Sequence, residues 1–297
     1  KRCVIMKKVK ITRKINNLTI IVRSYTSTEV NRSEIMLDQN KERIFKKSKI
    51  EYTLRTINSL INSCNHALES FKDIKINLII TDDNSTEENL NKIKSLLEKV
   101  KFSHKLINLK SNEFEDLIKK KDIEGKEISK AMISNMRNIL KSIFLTKTEV
   151  EDLVYFVEDD YIHEKIAILE MLYTYEKISS QTGKEIFLCP ADYPYLYKDM
   201  DTATNILIGN KRHWRSVKES LITFLTSKKM ILKYLDDFIA LGTIRHHPME
   251  KKLHDIYEKE LCLSPIPSLA MHATNINSAY GIPPNYDWKK NWDNNEL

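Results

Sequence analysis

The sequence predicts an α/β protein, a mostly parallel central sheet flanked by helices in a single domain. Three observations carry that prediction. Short apolar runs rich in β-branched residues alternate with longer segments of helical period, the pattern that builds parallel sheets through crossover helices. Two of the runs, 76–81 and 153–157, end in adjacent carboxylates, and in open α/β sheets ligands gather outside the carboxyl ends of the strands. The 297 residues suffice for one large core, and 41% hydrophobic with 30% charged residues is ordinary soluble-globular composition.

Residues 18–25, LTIIVRSY, read as a first buried strand with Arg23 and Ser24 at its polar tip. Residues 26–49 are polar, a loop with one helical turn. Ile50, Leu54, Ile57, Ile61, Cys64 and Leu68 then recur at intervals of four and three, one apolar face of a helix. The strand 76–81 runs into Asp82, Asp83, Asn84 and Ser85. A helix over 90–100, a strand over 105–109 and a helix over 128–144 follow, the last carrying Asn135, Arg137 and Asn138. The strand 153–157 runs into Glu158, Asp159 and Asp160, and a helix is expected over 162–178. A strand at 185–189 leads into the aromatic turn PADYPYLY, and 200–216 is polar with Arg212, His213, Trp214 and Arg215 clustered. Helices are expected over 228–239 and 249–261, then the motif SLAMHAT at 268–274. The last segment, with Pro283, Pro284, Trp288 and Trp292, lacks a helical period and is expected to wrap the surface.

The five glycines are far apart, so no G-x-G-x-x-G, Walker loop or G-x-S-x-G elbow can be written. That excludes most dehydrogenase, kinase and hydrolase readings. Four scattered cysteines argue against a zinc site or a disulfide framework and fit a reducing compartment. No apolar run approaches the ~20 residues of a membrane span, and there is no signal-peptide pattern, so the expected location is cytoplasmic. The net charge of +7 is uneven: seven basic residues, Lys1 to Lys14, precede the first acid, Glu29. They read either as a solvated tail or as a peripheral contact with an anionic membrane, where each charge adds about 1 kcal/mol. Nucleic acid is not expected, because no basic helix with interleaved aromatics follows.

Three consecutive acids at a strand end repel one another, and a divalent cation is one use for them: Mg²⁺ or Mn²⁺ takes one or two protein carboxylates together with substrate phosphates. An acidic loop, or acids at a helix start, is the alternative. Asp82-Asp83-Asn84-Ser85 likewise suits either ligand binding or a turn and helix cap.

On four stretches, LTIIVRSYT, NLIITDDNSTEEN, AMISNMRN and VYFVEDDY, the sequence resembles the GT-A (Rossmann-like) glycosyltransferases of the large inverting family 2 type, over roughly residues 18–275. The second stretch is similar to that family's nucleotide-base element and the fourth to its DXD motif in Glu-Asp-Asp form. The resemblance implies a transferase that uses a nucleotide-diphospho-sugar, UDP-linked by expectation, and a saccharide or glycolipid acceptor. By the same resemblance Arg23, Ser24, Asp82, Asp83, Arg137, Glu158 and Asp159 bind the nucleotide-sugar, with Asp159 at the ribose. Asp160 binds Mn²⁺ or Mg²⁺, with His272 of SLAMHAT completing the metal or serving only structure. Members usually carry glycine where this chain has Asn84.

The implied layout is a basic tail at 1–17, a nucleotide half at 18–160, an acceptor half at 161–275 and a C-terminal segment at 276–297. Inversion needs a general base near the acceptor hydroxyl. Glu250 is the first candidate and Asp255 the second. Tyr193 and Trp214 are candidates for stacking on an acceptor sugar, and Arg212 for holding an acidic one. A retaining transferase of the same fold and a non-catalytic nucleotide- or carbohydrate-binding protein remain as alternatives.

Overall fold

The computed structural model describes residues 10–27, 44–198, 203–273 and 278–297. A first strand, β1 (Asn17–Ser24), is buried along its whole length. Helix α1 (Lys49–Ser70) leads to β2 (Lys75–Asp82), and α2 (Glu87–Leu97) to β3 (Ser103–Asn108). Helix α3 (Lys130–Glu149) then delivers β4 (Leu153–Glu158). The hydroxyls of Thr86 and Ser129 cap α2 and α3, accepting the Asn89 and Met132 amides at 3.3 and 3.1 Å. These strands form the parallel half of the sheet, in the order β3-β2-β1-β4. Continuous Ile, Leu and Val runs suit strands covered on both faces.

The second half of the chain extends the same sheet. A short strand β5 (Tyr161–His163) and helix α4 (Ala167–Thr182) are followed by β6 (Phe187–Leu188), β7 (Ile206–Ile208), β8 (His213–Val217) and β9 (Phe224–Ser227). Helices α5 (Lys228–Lys233), α6 (Leu235–Thr243) and α7 (Lys251–Tyr257) precede β10 (Cys262–Ile266), β11 (Ala270–His272) and α8 (Trp288–Asp293). The nine-stranded order is β3-β2-β1-β4-β9-β6-β10-β8-β7. Beyond β4, β6 and β10 pair in parallel, while β9, β8 and β7 run antiparallel to their neighbours. The fold class is α/β, a large central sheet with helices packed against it. Strands β5 and β11 make a separate antiparallel pair beside the end of β4.

Register decides where chemistry can occur. Ser24 of β1 lies opposite Asp82 of β2, and Arg23 opposite Glu158 of β4. The carboxyl ends of three central strands are therefore level, and their polar tips meet on one edge.

Several elements differ from the sequence expectation. Residues 161–163 open no helix, because Tyr161, Ile162 and His163 pair with β11, more than a hundred residues away and invisible to local periodicity. The helix expected over 228–239 breaks at Tyr234, whose φ and ψ of −115° and 31° are not helical. The polar stretch 200–216 contains β7 and most of β8. The C-terminal segment is not a loose wrap: α8 drives Trp292 against Phe45 and Tyr52, and Arg55 lies 4.4 Å over its ring.

Of the expected basic tail, residues 1–9 lie outside the described residues, and Thr12, Arg13 and Ile15 are tied by hydrogen bonds to Ser180 and Glu176 while Lys10 and Lys14 are exposed. Arg13 donates to Asp152 at 2.5 Å and to Glu185 at 3.0 Å, which engages its charge within the chain. No helix among the described residues is long and apolar enough to cross a membrane.

Candidate active site

At the β1–β2 corner the acids are held from within. Asp82 accepts the Ser24 hydroxyl and, from Ser85, the amide at 3.1 Å and the hydroxyl at 2.5 Å. Burial pushes its carboxyl above the usual range despite these donors. Asp83 is paired with Arg137 through both oxygens, at 3.0 and 2.9 Å, and accepts Ser134 at 2.8 Å. Asn138 bridges the strands, donating to the carbonyls of Ser24 at 3.1 Å and Thr81 at 3.2 Å. The next residue, Asn84, has φ +72°, a left-handed conformation that glycine takes freely and asparagine tolerates. Ser24, Asp82, Asp83 and Arg137 are thus brought together. Asp83 and Arg137 are paired with each other, so a contact of either with a nucleotide-sugar would share charges already engaged in that ion pair.

The acidic end of β4 has three residues with three different neighbourhoods. Asp159 is 7% exposed and accepts the Tyr25 amide and the Thr53 hydroxyl, both at 3.0 Å, with the Lys49 ammonium 2.6 Å from its other oxygen. It ties the exit of β1 to the start of α1, so a ribose contact would have to share these positions. Lys49 and Thr53 were not foreseen, because the period of α1 marks only its apolar face.

Asp160 shares Lys49 with Asp159 but has a second neighbour. Its carboxylate is 3.8 Å from Lys49 and 3.5 Å from Nε2 of His272, and its carbonyl accepts the Ala273 amide at 2.8 Å. The His272 ring stacks on Tyr161 at 4.7 Å, and its Nδ1 is 2.9 Å from the Tyr280 carbonyl. A carbonyl only accepts, so Nδ1 carries the hydrogen and the Nε2 position faces the carboxylate. Burial is the largest influence and opposes charging this ring, but Asp160, Glu158 and the Tyr280 carbonyl together raise the imidazole above its ordinary value. A carboxylate and an imidazole nitrogen facing across 3.5 Å require positive charge between them: a proton, or a cation that accepts O and N ligands. The pair fits Mn²⁺ or Mg²⁺ as a partial ligand set, with the remaining positions left for substrate oxygens and water.

Glu158 lies at the centre. Its amide donates to Thr223 at 3.0 Å, the Thr223 hydroxyl returns a bond at 3.2 Å, and Arg23 stands 3.6 Å away. Its charge contributes to the shifts of His272 and Tyr161 on one side and Glu250 on the other. Glu250 precedes α7. Burial, then the nearby Glu158 charge, push its carboxyl up to about 7, the range in which a general base operates. Tyr280, its hydroxyl pushed up by burial and then by Glu219 and Glu250, hydrogen-bonds Glu219 at 3.3 Å while its carbonyl holds His272.

The expected acceptor residues fall elsewhere. Trp214 is fully buried and its indole nitrogen donates to Glu170 at 3.3 Å, so it has no face for a sugar. Tyr193 is fully buried too, its hydroxyl 2.6 Å from that of Tyr161. Arg212 pairs with Glu164 at 2.9 Å, and Arg215 is bonded to Asp192, which also accepts Tyr197. Asp255 is an outward residue of α7 whose carboxyl Lys251 holds below the usual range, unsuited to take a proton at neutral pH. In place of these, a cavity of about 300 Å³ is lined by Tyr195, Thr204, Arg215, Lys218 and Glu219. Local sequence offered no signal for it, because β8 and the aromatic turn meet only in the fold.

No family model matches the sequence, and no curated protein does. Among solved structures, a fragment of TarS from S. aureus is similar at 12% identity and a TM-score of 0.44, with 84% of this chain and 57% of that one covered. The chain thus spans somewhat over half of that fragment's length. A UDP-glucose pyrophosphorylase complexed with UDP-glucose is similar at 10% identity and a TM-score of 0.41, over 86% of this chain and 91% of that one. The galactosyltransferase LgtC, in complex with donor and acceptor sugar analogues, is similar at 9% identity and a TM-score of 0.35, over 80% and 70%. At such distances no residue role passes from these proteins to this chain.

Proposed function

We propose that this chain is a metal-dependent GT-A glycosyltransferase that moves a sugar from a nucleotide-diphospho-sugar, UDP-linked in our reading, to a saccharide or glycolipid acceptor with inversion. The observation that carries the proposal is the convergence on Glu158, with the Asp160–His272 pair on one side and the raised carboxyl of Glu250 on the other. A site that must handle both a diphosphate and an acceptor proton needs those two functions close together and separate.

Asp160 and His272 would hold the Mn²⁺ or Mg²⁺, which when bound supplies charge neutralisation for a diphosphate leaving group. The protein's own groups do the rest. Glu250, ionised, accepts the proton of the acceptor hydroxyl as its oxygen bonds to the anomeric carbon and the bond to the diphosphate breaks. Asp82 and the backbone it organises form the wall for the nucleoside. Arg23 and Thr223 fix Glu158, so that the field felt by Glu250 is constant through the reaction. Arg13, paired with Asp152 and Glu185, lends no support to a membrane contact.

Thermal denaturation with a panel of nucleoside diphosphates and nucleotide sugars, each with Mn²⁺ and with EDTA, tests the proposal, because a ligand of the folded state raises the melting temperature. A rise with one nucleotide, lost in EDTA, is the expected result. No rise with any of them at millimolar concentration overturns the proposal.

A further inference from the structure

The cavity of about 300 Å³ beside the aromatic turn is tied by hydrogen bonds to both halves of the candidate site. Strand β8, which lines it through Arg215 and Val217, runs on into Lys218, Glu219 and Ser220. On one side of this strip the Glu219 carboxylate accepts the Tyr280 hydroxyl at 3.3 Å, and the Glu219 carbonyl accepts the Tyr195 hydroxyl at 2.5 Å. The Tyr195 and Tyr280 rings lie 5.0 Å apart, and the Tyr280 carbonyl anchors His272 at 2.9 Å. A single residue therefore links the cavity wall to the Asp160–His272 pair.

On the other side the strip is fastened to α7, the helix that Glu250 precedes. His254 Nε2 donates to the Ser220 carbonyl at 3.0 Å, the hydroxyls of Ser220 and Tyr257 are 3.0 Å apart, and the Lys218 ammonium donates to the Tyr257 carbonyl at 3.1 Å. The cavity thus has a fixed position relative to both the pair and the start of α7.

Its lining speaks for the kind of occupant. Tyr195, Leu196 and Val217 supply carbon and Thr204 a hydroxyl, the mixture of apolar walls and a few polar groups that marks small-molecule sites. About 300 Å³ is the lower end of their range, room for one sugar ring and not for a nucleotide-sugar. The cations at its wall are engaged: Arg215 is paired with Asp192, and Lys218 with Glu258 at 3.2 Å. Among the described residues Glu219 has no such cation, only the hydroxyl of Tyr280. The charge left over is negative, which disfavours an acidic occupant.

We propose that this cavity is the subsite for an uncharged pyranose unit of the acceptor, so that the acceptor is a neutral glycan at this position and not an acidic one. The assignment to the acceptor rests on the transferase reading above, whereas sugar binding in the cavity does not.

Saturation-transfer NMR of the full chain in EDTA tests it, with methyl β-D-glucoside, methyl β-D-galactoside and their uronic acid counterparts as probes and a calorimetric titration of UDP with Mn²⁺ alongside. At least one neutral glycoside is expected to bind, and its uronide at least fivefold more weakly. Thr204→Trp, a bulky ring at an exposed position of the lining, should weaken that glycoside tenfold or more and change UDP with Mn²⁺ no more than twofold. Glu219→Gln should bring glycoside and uronide to within twofold of each other. No binding of either neutral glycoside, a uronide that binds the wild type equally well, or a Thr204→Trp protein that binds the glycoside like the wild type each overturns the proposal. If the tryptophan variant does not fold, a glycoside–uronide gap that persists in Glu219→Gln overturns it as well. Glycoside binding lost in Thr204→Trp without any nucleotide binding to the wild type would uphold the sugar site, overturn its assignment to the acceptor and remove the transferase reading.

Discussion

His272 Nε2 faces Asp160 Oδ1 across 3.5 Å, with Nδ1 of the same ring anchored on the Tyr280 carbonyl at 2.9 Å. That anchor fixes both the ring plane and the tautomer, leaving one nitrogen for one purpose. The two side chains come from segments more than a hundred residues apart, joined by the pairing of β5 with β11.

The first prediction concerns this pair. Asp160→Asn and His272→Gln should each weaken Mn²⁺ binding in the presence of UDP by tenfold or more, and Asp160→Ala should abolish turnover without loss of the folded circular-dichroism spectrum. Because Asp160 raises the His272 imidazole, a proton competes for Nε2, so Mn²⁺ affinity should strengthen as pH rises through the imidazole's titration. Calorimetry at several pH values reads both effects; pH-independent affinity contradicts the assignment.

Glu250 sets the second. A carboxyl at about 7 in the folded chain and near its usual value in the unfolded one binds more protons when folded at intermediate pH. Its ionisation therefore costs stability, with no penalty at low pH and a full penalty above about 7. Glu250→Gln should raise stability at pH 8 by up to about 3 kcal/mol and leave it unchanged near pH 4. Turnover of the wild type should rise with pH up to about 7 and then level, and the variant should lose it. Urea denaturation at the two pH values, with a pH–rate profile, checks this.

Asp83 and Arg137 provide the third. Removing either alone, as Asp83→Ala or Arg137→Met, leaves an unpaired buried charge and should cost about 3–5 kcal/mol. The double variant should be more stable than the sum of the singles implies. Denaturation of all four proteins measures the coupling, and simple additivity would deny the pair its role.

A fourth prediction falls on the β7–β8 turn. A Cβ at Gly209 would lie 2.4 Å from both Thr174 Oγ1 and Trp214 Nε1, so Gly209→Ala should destabilise by about 1–3 kcal/mol. Thermal melts read it directly, and an unchanged melting temperature would show that the turn gives way freely.

The strands that end in acids were legible because each is a local apolar run with its chemistry attached, and β1, β2 and β4 lie within a residue or two of their expected positions. Asp160, His272 and Glu250 could be singled out by residue type, and the fold sets the first two side by side. What sequence could not show is who is satisfied by whom. Arg137 looks free until Asp83 is found beneath it, and Trp214 looks like a sugar platform until the sheet closes over it. Lys49, Thr223 and Tyr280 reach the site only through long-range pairing, which has no period to read. Strands β8, β9 and β10 escaped for the same reason: each is short and draws its stability from neighbours across the sheet.

Glu170 has a consequence of another kind. Fully buried on α4, it accepts the amides of Asn210, Lys211 and Arg212 at 2.9, 2.7 and 3.1 Å, besides the Trp214 indole. Three successive N–H groups closing on one anion is how backbone nests capture phosphate. Here the captured anion is part of the chain, a ligand on a tether with a high effective concentration and no dissociation to dilution. Dissolved phosphate or sulfate therefore competes poorly for the same three amides, and the hairpin that carries Arg212 and Arg215 stays fastened in their presence.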